Sequence, residues 1–491
     1  MAGATTTRYG QFINGEEAPG ADGTHRPVLD PANNRPFAEV AEGTAEDARR
    51  AMEVAEKAFR ESPWAGGDGS QRVKVLLKLA QSLEAELDRF AELESRNVGK
   101  TLREAKGDIQ FVVRTLEYIA GLADKLEGET IPVPGGRLDY TIREPVGVTV
   151  HIAPWNFPLV LSVRSVAPAL AAGNAVVLKP ASLTPLSALA FARLARTAGV
   201  PPGILNVVVG SGRAVGETLV SDPRTRAVSF TGSVEVGQRI SELAAARHIP
   251  TTLELGGKGP VIVFADADLD RAAKGVIWGI FGNAGQMCWA GSRLLVHASI
   301  REPFVAKVKA LAEKLKVGPG LEAGVEMGPL VSPEQLDRVV GFVEEARRDG
   351  GTVVTGGARL TDAARAPGNF LAPTIVEGLP PEHRIVREEV FGPVLSVLPF
   401  TSNDEAVRLA NGTDFGLLAT MWTRDLATAH SVARSLECGM VGINDPPLTF
   451  PQSPFAGAKS SGSGFEQGSR VVEAYTRRKN ILVNLGAPRA G

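Results

Sequence analysis

The N-terminal quarter of the chain carries mainly helical patterning. Residues 10–45 alternate short strand-like pieces with turn residues, which predicts an edge hairpin or a meander. Thr44, followed by Asp47, has the residue types of a helix N-cap and opens an amphipathic pattern. Longer helical patterns follow near 70–97 and near 100–126, so we predict three helices in this part of the chain.

Beyond Val146 the pattern changes to apolar strands that alternate with helix-length segments. One series begins there, and a second begins near Pro260 and ends near Asn444. Strands that are apolar on both faces are typical of parallel sheets covered by helices. The sequence therefore predicts an α/β fold with two domains. The tail from Lys479 is an additional strand, which we expect to pair with residues 138–145 or with a neighbouring subunit.

Composition narrows the class of protein. The chain has 491 residues, 44% hydrophobic and 22% charged, as in ordinary globular proteins, and its net charge of −2 argues against nucleic-acid or membrane-surface binding. The N-terminus lacks the apolar core of a signal peptide, and prolines and polar residues interrupt the most apolar region, 152–178, so no transmembrane helix is expected. Two cysteines far apart predict a reducing cytoplasm, and six scattered histidines predict no metal site.

One cysteine, Cys288, lies among small residues in the stretch Phe281-Gly-Asn-Ala-Gly-Gln-Met-Cys-Trp-Ala-Gly-Ser-Arg293. An inert buried cysteine usually lies in a continuous apolar run. A nucleophilic cysteine needs open space and a lowered pKa, because the thiolate is the reacting species. The local sequence leaves both interpretations open for Cys288, whereas Cys438 is interpreted as structural.

Two glycine-rich turns follow predicted strands and open helices, at residues 210–216 (Gly-Ser-Gly-Arg-Ala-Val-Gly) and 229–237 (Ser-Phe-Thr-Gly-Ser-Val-Glu-Val-Gly). Glycines at such junctions let backbone N–H groups approach a pyrophosphate. Neither turn matches the usual G-x-G-x-x-G pattern. Each is therefore either a nucleotide-binding turn or an ordinary one.

Two polar residues are placed where chemistry is conceivable. Glu254 ends an apolar strand, where burial would raise its pKa toward that of a general base; its alternative is an ordinary ion pair with Lys258. Asn156 lies between prolines, where it either caps a turn or donates a hydrogen bond to a developing oxyanion.

Together these segments resemble the aldehyde dehydrogenase superfamily over nearly the whole chain. The resemblance is carried by eight ordered motifs: Glu144-Pro-Val-Gly147, Pro154-Trp-Asn-Phe-Pro158, Lys179-Pro-Ala-Ser182, Phe230-Thr-Gly-Ser233, Glu254-Leu-Gly-Gly257, Gly285-Gln-Met-Cys288, Glu388-Glu-Val-Phe-Gly-Pro393 and Pro454-Phe-Ala-Gly-Ala-Lys-Ser-Ser-Gly462. The spacing of 34 positions between the glutamate and the cysteine also fits the family.

The resemblance implies a covalent mechanism. Cys288 would attack the aldehyde carbon, while the Asn156 amide and the Cys288 backbone N–H hold the oxyanion. Hydride transfer to nicotinamide would then leave a thioester, and Glu254 would activate the water that hydrolyses it to the acid. An sp³ carbon attached to sulfur can expel hydride, which an sp² aldehyde carbon cannot do.

The resemblance also implies the domain plan and the assembly. Residues 1–126 and 146–256 would form a Rossmann-like cofactor domain, and 257–456 a second, catalytic α/β domain. Residues 127–145 and 470–491 would form a small β oligomerisation element, as expected for a homodimer or homotetramer.

In the same family, eight positions here correspond to the NAD or NADP site: Trp155, Lys179, Ser182, Gly212, Phe230, Ser233, Glu389 and Phe391. NAD-specific members commonly carry Glu where this chain has Ser182, and a glutamate there would repel a 2′-phosphate. With Lys179 as a counter-charge, NADP is expected to be accepted. Ser469 replaces a proton-relay carboxylate of many relatives, so water activation is expected to rest on Glu254 alone.

The substrate is predicted from the expected tunnel walls. Phe157, Leu161, Trp289 and Phe450 would make the tunnel apolar and aromatic, favouring an aromatic or medium-chain aldehyde. Arg164 lies where relatives of the succinic-semialdehyde and benzaldehyde types face the substrate. It would bind a substrate carboxylate in the first type, and the alternative is that it pairs with a structural carboxylate.

Three other functions remain as alternatives. A thiol esterase could use the same cysteine, asparagine and glutamate without a cofactor. A CoA-acylating member would generally lack the glutamate base. A non-catalytic paralogue would more plausibly have lost one of the three residues.

Overall fold

Two large sheets organise the chain, and the structure, a computed structural model, describes residues 7–486. Residues 1–6 and the last five residues of the predicted 470–491 segment lie outside that range. The first sheet has eight strands, in the order Gly462–Ser463, Thr251–Glu254, Thr225–Thr231, Val148–Ile152, Ala175–Lys179, Leu205–Val207, Gln11–Ile13 and Glu16–Ala18. The second sheet has seven, in the order Thr352–Thr355, Thr374–Glu377, Val394–Phe400, Arg293–His297, Pro260–Val263, Leu418–Trp422 and Met440–Ile443.

Both sheets are parallel at their centres and antiparallel at an edge. The five strands between Thr251–Glu254 and Leu205–Val207 run parallel, and Gln11–Ile13 joins them antiparallel. Central strands such as Ala175–Lys179 are buried along their whole length, which is typical of sheets covered by helices on both faces. The predicted α/β fold is thus confirmed, and each sheet has its own hydrophobic core.

Helices cover both sheets. Around the first sheet lie Ala45–Glu61, Pro63–Gly66, Gly69–Ala85, Leu87–Val98, Leu102–Ala120, Pro158–Ala171, Leu186–Ala198, Thr218–Ser221 and Val234–Ala245. Around the second lie Leu269–Phe281, Arg301–Ala312, Pro333–Arg348, Arg384–Arg387, Asn403–Asn411 and Leu426–Ser435. Within residues 7–486, none of the helices has the length and apolar character needed to cross a membrane.

The N-terminal patterns are confirmed in outline. Thr44 caps the helix Ala45–Glu61 in a capping box with Asp47. The predicted helix near 70–97 is instead two helices, which break at Glu86. No proline or glycine marks that break, so local propensity could not reveal it.

The strands of residues 10–45 divide between two sheets. Gln11–Ile13 and Glu16–Ala18 form a hairpin at the edge of the first sheet. The other two join Thr7–Tyr9 in a separate sheet, in the order Thr7–Tyr9, Arg35–Ala41 and His25–Asp30.

The additional strands pair with each other in a small sheet. Arg137–Pro145 and Thr476–Asn484 are antiparallel over nine residue pairs, and Thr130–Ile131 adds a short third strand. The tail strand therefore takes the first of the two expected partners.

Arg293 fixes the end of the cysteine stretch to the second sheet. Its guanidinium is 2% exposed and donates to the carbonyl oxygens of Lys258, Leu409 and Ala410 at 2.9, 2.7 and 2.7 Å. Leu409 and Ala410 belong to the last turn of Asn403–Asn411, where carbonyls lack the usual helical partner, although that of Leu409 also accepts from the Gly412 N–H at 3.3 Å. Burial lowers the pKa of Arg293 to about 9.

We predict that Arg293→Met lowers the free energy of unfolding by about 3–5 kcal/mol, because three buried carbonyls lose a charged donor. The control is Arg301→Met, which breaks a surface ion pair with Glu377 and should cost less than about 1 kcal/mol. Urea denaturation compares the two variants. Equal midpoints would contradict the structural role given to Arg293.

Candidate active site

The cysteine loop has an unusual backbone. After the helix Leu269–Phe281, Asn283, Ala284 and Gly285 have φ values of 46, 52 and 72°. Left-handed conformations at non-glycine residues cost about 1–3 kcal/mol each and persist only where surrounding contacts hold them. Here the Asn283 N–H donates to Glu104 at 2.8 Å, a carboxylate that also caps the helix Leu102–Ala120.

Asn156 is bonded to this loop. Its side-chain amide donates to the main-chain carbonyl of Gln286 at 2.9 Å. Its main-chain carbonyl accepts from the side-chain amide of Asn283 at 3.0 Å. A side-chain amide has two N–H donors, so the second one is available to a ligand. The loop and the segment around Asn156, distant in sequence, thus form one unit.

Cys288 lies where two cavities meet. The first, which we call the tunnel, has a volume of about 300 Å³, and the second, the cleft, about 290 Å³. Cys288 and Leu161 line both. The cleft is also lined by Pro154, Trp155, Asn156, Thr231, Gly232, Ser233, Leu255, Gly256, Gln335, Arg338, Glu389 and Phe391. The thiol is therefore accessible from both sides.

Glu254 ends its strand as a buried carboxylate with no hydrogen bond to either oxygen. Burial and the neighbouring Glu466 carboxylate raise its pKa well above the usual range, and Arg164 opposes that shift. The alternative of an ion pair with Lys258 is not observed. The Lys258 ammonium is itself buried without a partner, and burial lowers its pKa to about 7.

Arg164 forms a buried ion pair with Glu466, so the expected alternative of a structural carboxylate is the contact observed. The guanidinium lies 4.2 Å from the centroid of the Phe455 ring, and the Ser229 hydroxyl donates to Glu466 at 3.0 Å. Although Ser469 is not acidic, a carboxylate thus lies close enough to shift the pKa of Glu254. The expectation that water activation rests on Glu254 alone stays a prediction.

The thiol of Cys288 does not have the lowered pKa that a nucleophile needs. Burial raises the pKa of Cys288 to about 12; Arg164 lowers it, and Glu389 and Glu254 raise it. The resting group is therefore a thiol, and its activation needs a proton acceptor or an additional positive charge nearby.

Four of the predicted cofactor residues line the cleft: Trp155, Ser233, Glu389 and Phe391. Trp155 and Phe391 meet edge to face at 5.1 Å, and Ser233 caps the helix Val234–Ala245. Glu389 accepts from the Gly257 N–H at 3.0 Å, and burial raises its pKa to about 7.

Phe230 requires a correction, because it does not line the cleft. It is 4% exposed, and its ring lies beneath Gly232, where an added Cβ would come within 2.5 Å of it. Phe230 is therefore a support for the glycine turn rather than a cleft residue.

The remaining predicted cofactor residues gather beyond the cleft. Lys179 is 5% exposed, and its pKa is lowered to about 8 by burial while Glu42 opposes the shift. The Ser182 hydroxyl donates to the Gly210 carbonyl at 2.9 Å. Gly212 faces open space, since nothing lies within 4 Å of an added Cβ. A glycine surface beside a buried lysine fits a phosphate-bearing ligand.

The tunnel contains Phe157, Leu161, Arg164 and Trp289, as predicted. Phe450 does not line it and is 56% exposed. Phe455 takes its place, with its ring 6.1 Å from that of Trp289. Other lining residues were not expected from the sequence: Arg103, Glu104, Gly107, Asp108, Phe111, Val160, Arg114, Trp278, Asn283, Met287, Pro447, Leu448 and Thr449. Some of these lining residues could have been found from the sequence, because positions 103, 107, 111 and 114 lie on one face of a helix.

Comparison with known proteins gives a consistent result. The sequence profile of the aldehyde dehydrogenase family matches residues 19–481. Betaine aldehyde dehydrogenase of Bacillus subtilis is 42% identical, over 96% of this chain and 97% of that protein. Hydroxyisobutyraldehyde dehydrogenase of Mycolicibacterium austroafricanum is 40% identical, over 98% and 95%. The crystal structure of Staphylococcus aureus betaine aldehyde dehydrogenase with NAD⁺ is 37% identical, covers 98% and 96%, and has a TM-score of 0.96.

We predict that alkylation of Cys288 by iodoacetamide, in a Cys438→Ser background, keeps accelerating beyond pH 9, because the folded pKa lies near 12. Arg164→Met should slow the reaction at a given pH by removing a nearby cation. Glu254→Gln should accelerate it by removing a nearby negative charge.

Mass spectrometry of the cysteine peptide measures these rates. Cys288→Ala in the same background is the control for other sites. A plateau below pH 8 in the resting protein would show that the thiolate is already formed, against this description.

Proposed function

The chain belongs to the aldehyde dehydrogenase family, and we propose that it oxidises an aldehyde to the free carboxylic acid through intermediates on Cys288. The observation that carries this proposal is the position of the sulfur where the tunnel meets the cleft. A carbonyl carbon delivered along the tunnel would meet the nucleophile and the hydride acceptor at one point.

The first step is addition of the sulfur to the carbonyl carbon. Cys288 gives up its proton to solvent, and a C–S bond forms as the carbonyl oxygen becomes an alkoxide. The Asn156 amide and the Cys288 N–H stabilise that oxygen. Removal of one such donor typically costs ~10²–10³ in rate.

NAD(P)⁺, bound in the cleft by residues such as Trp155, Ser233 and Glu389, would supply the hydride acceptor. Loss of hydride from the sulfur-bound carbon re-forms the carbonyl and leaves a thioester on Cys288. Glu254 then takes a proton from the attacking water and the C–S bond breaks. The acid leaves, and Glu254 returns the proton to the Cys288 sulfur. A carboxylate whose pKa is raised toward neutrality suits this step.

The other functions are less well supported. A thiol esterase would not need the cleft, whose aromatic and glutamate lining lies beside the sulfur. CoA-acylating chemistry would not need the buried base at position 254. A non-catalytic role would leave the strained cysteine loop unexplained.

For the substrate we propose an aromatic or medium-chain aldehyde, since Phe157, Leu161, Trp289 and Phe455 give the tunnel aromatic and aliphatic walls. The alternative, a succinic-semialdehyde-type enzyme, would need Arg164 to bind a substrate carboxylate. Its ion pair with Glu466 opposes that role.

For the cofactor we propose that NADP is accepted as well as NAD. Ser182 brings no negative charge to the site that relatives fill with glutamate, and Lys179 is available beside it. Glu42 is the opposing feature: its carboxylate lies near Lys179 and also forms an ion pair with Arg26 at 3.3 Å.

We also propose a homodimer or homotetramer in the cytoplasm. The edge strand Thr476–Asn484 of the small sheet exposes Leu482 by 56% and is followed by Leu485, exposed by 66%. Such an edge is normally covered by a partner. A catalytic thiol that must stay reduced favours the cytoplasm.

We predict reduced nicotinamide, read at 340 nm, in proportion to acid when the protein is given an aldehyde panel. Cys288→Ala should abolish the signal while cofactor binding is kept, and Asn156→Ala should reduce it ~10²–10³-fold. Ester hydrolysis without nicotinamide reduction would favour the esterase instead.

We predict that wild type uses NADP with a kcat/KM within a hundredfold of that for NAD. Glu42→Gln should raise the NADP/NAD ratio by roughly three- to tenfold by removing a like charge from a 2′-phosphate. Glu46→Gln, an exposed glutamate on the neighbouring helix, is the control. An NADP efficiency at least a hundredfold below that of NAD would contradict the cofactor proposal.

A further inference from the structure

The tunnel is not uniformly apolar, because one wall is a charged helix face. Leu102–Ala120 contributes Arg103, Asp108, Phe111 and Arg114 to it. Residues at positions 103, 107, 111 and 114 share one face of an α-helix. The charges on this face decide what kind of group the outer tunnel can bind.

The two carboxylates of this wall, those of Glu104 and Asp108, already have partners within the protein. Glu104 caps its own helix and accepts from the Asn283 N–H. Asp108 forms an ion pair with Lys100, whose ammonium is fully buried and lies 4.0 Å from the centroid of the Phe157 ring. Asp108 is therefore neutralised within the wall, and Glu104 is held by hydrogen bonds from neutral donors.

The two arginines of this wall, Arg103 and Arg114, differ from its carboxylates. Within residues 7–486, neither Arg103 nor Arg114 has a carboxylate within ion-pair distance, and neither side chain makes a hydrogen bond there. The deeper arginine of the tunnel, Arg164, is by contrast neutralised by Glu466. Arg103 and Arg114 are both exposed, and together they outnumber the charge of Glu104, so a net positive charge lies at the outer end of the tunnel.

From this arrangement we infer that the preferred substrate is an aldehyde with an anionic group, such as a carboxylate, at the end remote from the carbonyl. The aldehyde carbon meets Cys288, an apolar body lies between Phe157 and Trp289, and the anion pairs with Arg114. Arg103, 11 residues earlier and about 16 Å away along the helix, adds to the positive potential at the entrance.

The inference rests on the proposed function and gives its site a substrate class. It differs from a semialdehyde bound by Arg164, because the anion is bound at the outer wall. An arginine that was merely solvated would not discriminate between two aldehydes of the same shape and different charge.

The test compares benzaldehyde with 4-formylbenzoate, which have the same reacting group and differ in one carboxylate. Wild type should have the higher kcat/KM for 4-formylbenzoate, and the advantage should shrink as NaCl is raised, since exposed ion pairs are screened. Arg114→Met should lower kcat/KM for 4-formylbenzoate by roughly tenfold, chiefly through KM, and change that for benzaldehyde less than about twofold. Arg114→Glu should lower the first value further.

Arg49→Met is the matched control, because Arg49 is an exposed arginine on the helix Ala45–Glu61, away from the tunnel lining. Equal losses for both aldehydes in Arg114→Met, or no wild-type preference for the carboxylate, would overturn the inference while leaving the dehydrogenase proposal intact. Absence of nicotinamide reduction with both aldehydes, and with the rest of an aldehyde panel, would instead reject the proposed function.

Discussion

The site depends on a balance of charge around a cysteine and a buried glutamate. Cys288 is only partly exposed, Glu254 is buried, and burial raises the pKa of each. Arg164 is the cation that lowers both pKa values, and its guanidinium also forms the ion pair with Glu466. At rest the centre therefore contains a protonated thiol, a carboxyl group whose pKa is raised, and one internal ion pair. Binding of the positively charged nicotinamide ring in the cleft would lower the pKa of Cys288 and so favour the thiolate.

Hydrogen bonds in the surrounding fold fix the positions of the elements that form the site. Glu104 caps a helix and also holds the strained Asn283, so helix position and loop conformation are coupled. The buried Glu94 accepts from the Leu159 N–H at the start of Pro158–Ala171, the helix that carries Arg164. Arg164 thus reaches the site on a helix whose start is bonded to a buried carboxylate. This matters because small displacements of reacting groups are costly in rate.

Features that depend only on neighbouring residues, such as helix caps and buried strands, could be predicted from the sequence. Thr44 with Asp47 predicts its helix because capping involves only neighbouring residues, and the buried strands are evident from continuous apolar runs. The shared position of Asn156 and Cys288 was inferred from resemblance, since no spacing rule links residues so far apart. The partner of Arg164 could not be predicted, because Glu466 lies 302 positions away. Phe450 and Phe455 are both aromatic residues of one loop region, and only the backbone path decides which of them faces the tunnel.

The central claim is that the carbon of the substrate becomes bonded to the sulfur of Cys288. Mass spectrometry of the Glu254→Gln variant, incubated with benzaldehyde and NAD⁺, tests it most directly, because that variant should form the thioester and fail to hydrolyse it. The account predicts that the Cys288 peptide gains the mass of benzaldehyde less two hydrogens, and that the gain is absent without NAD⁺. An unmodified Cys288 peptide alongside reduced nicotinamide, or an adduct on another residue, would contradict it.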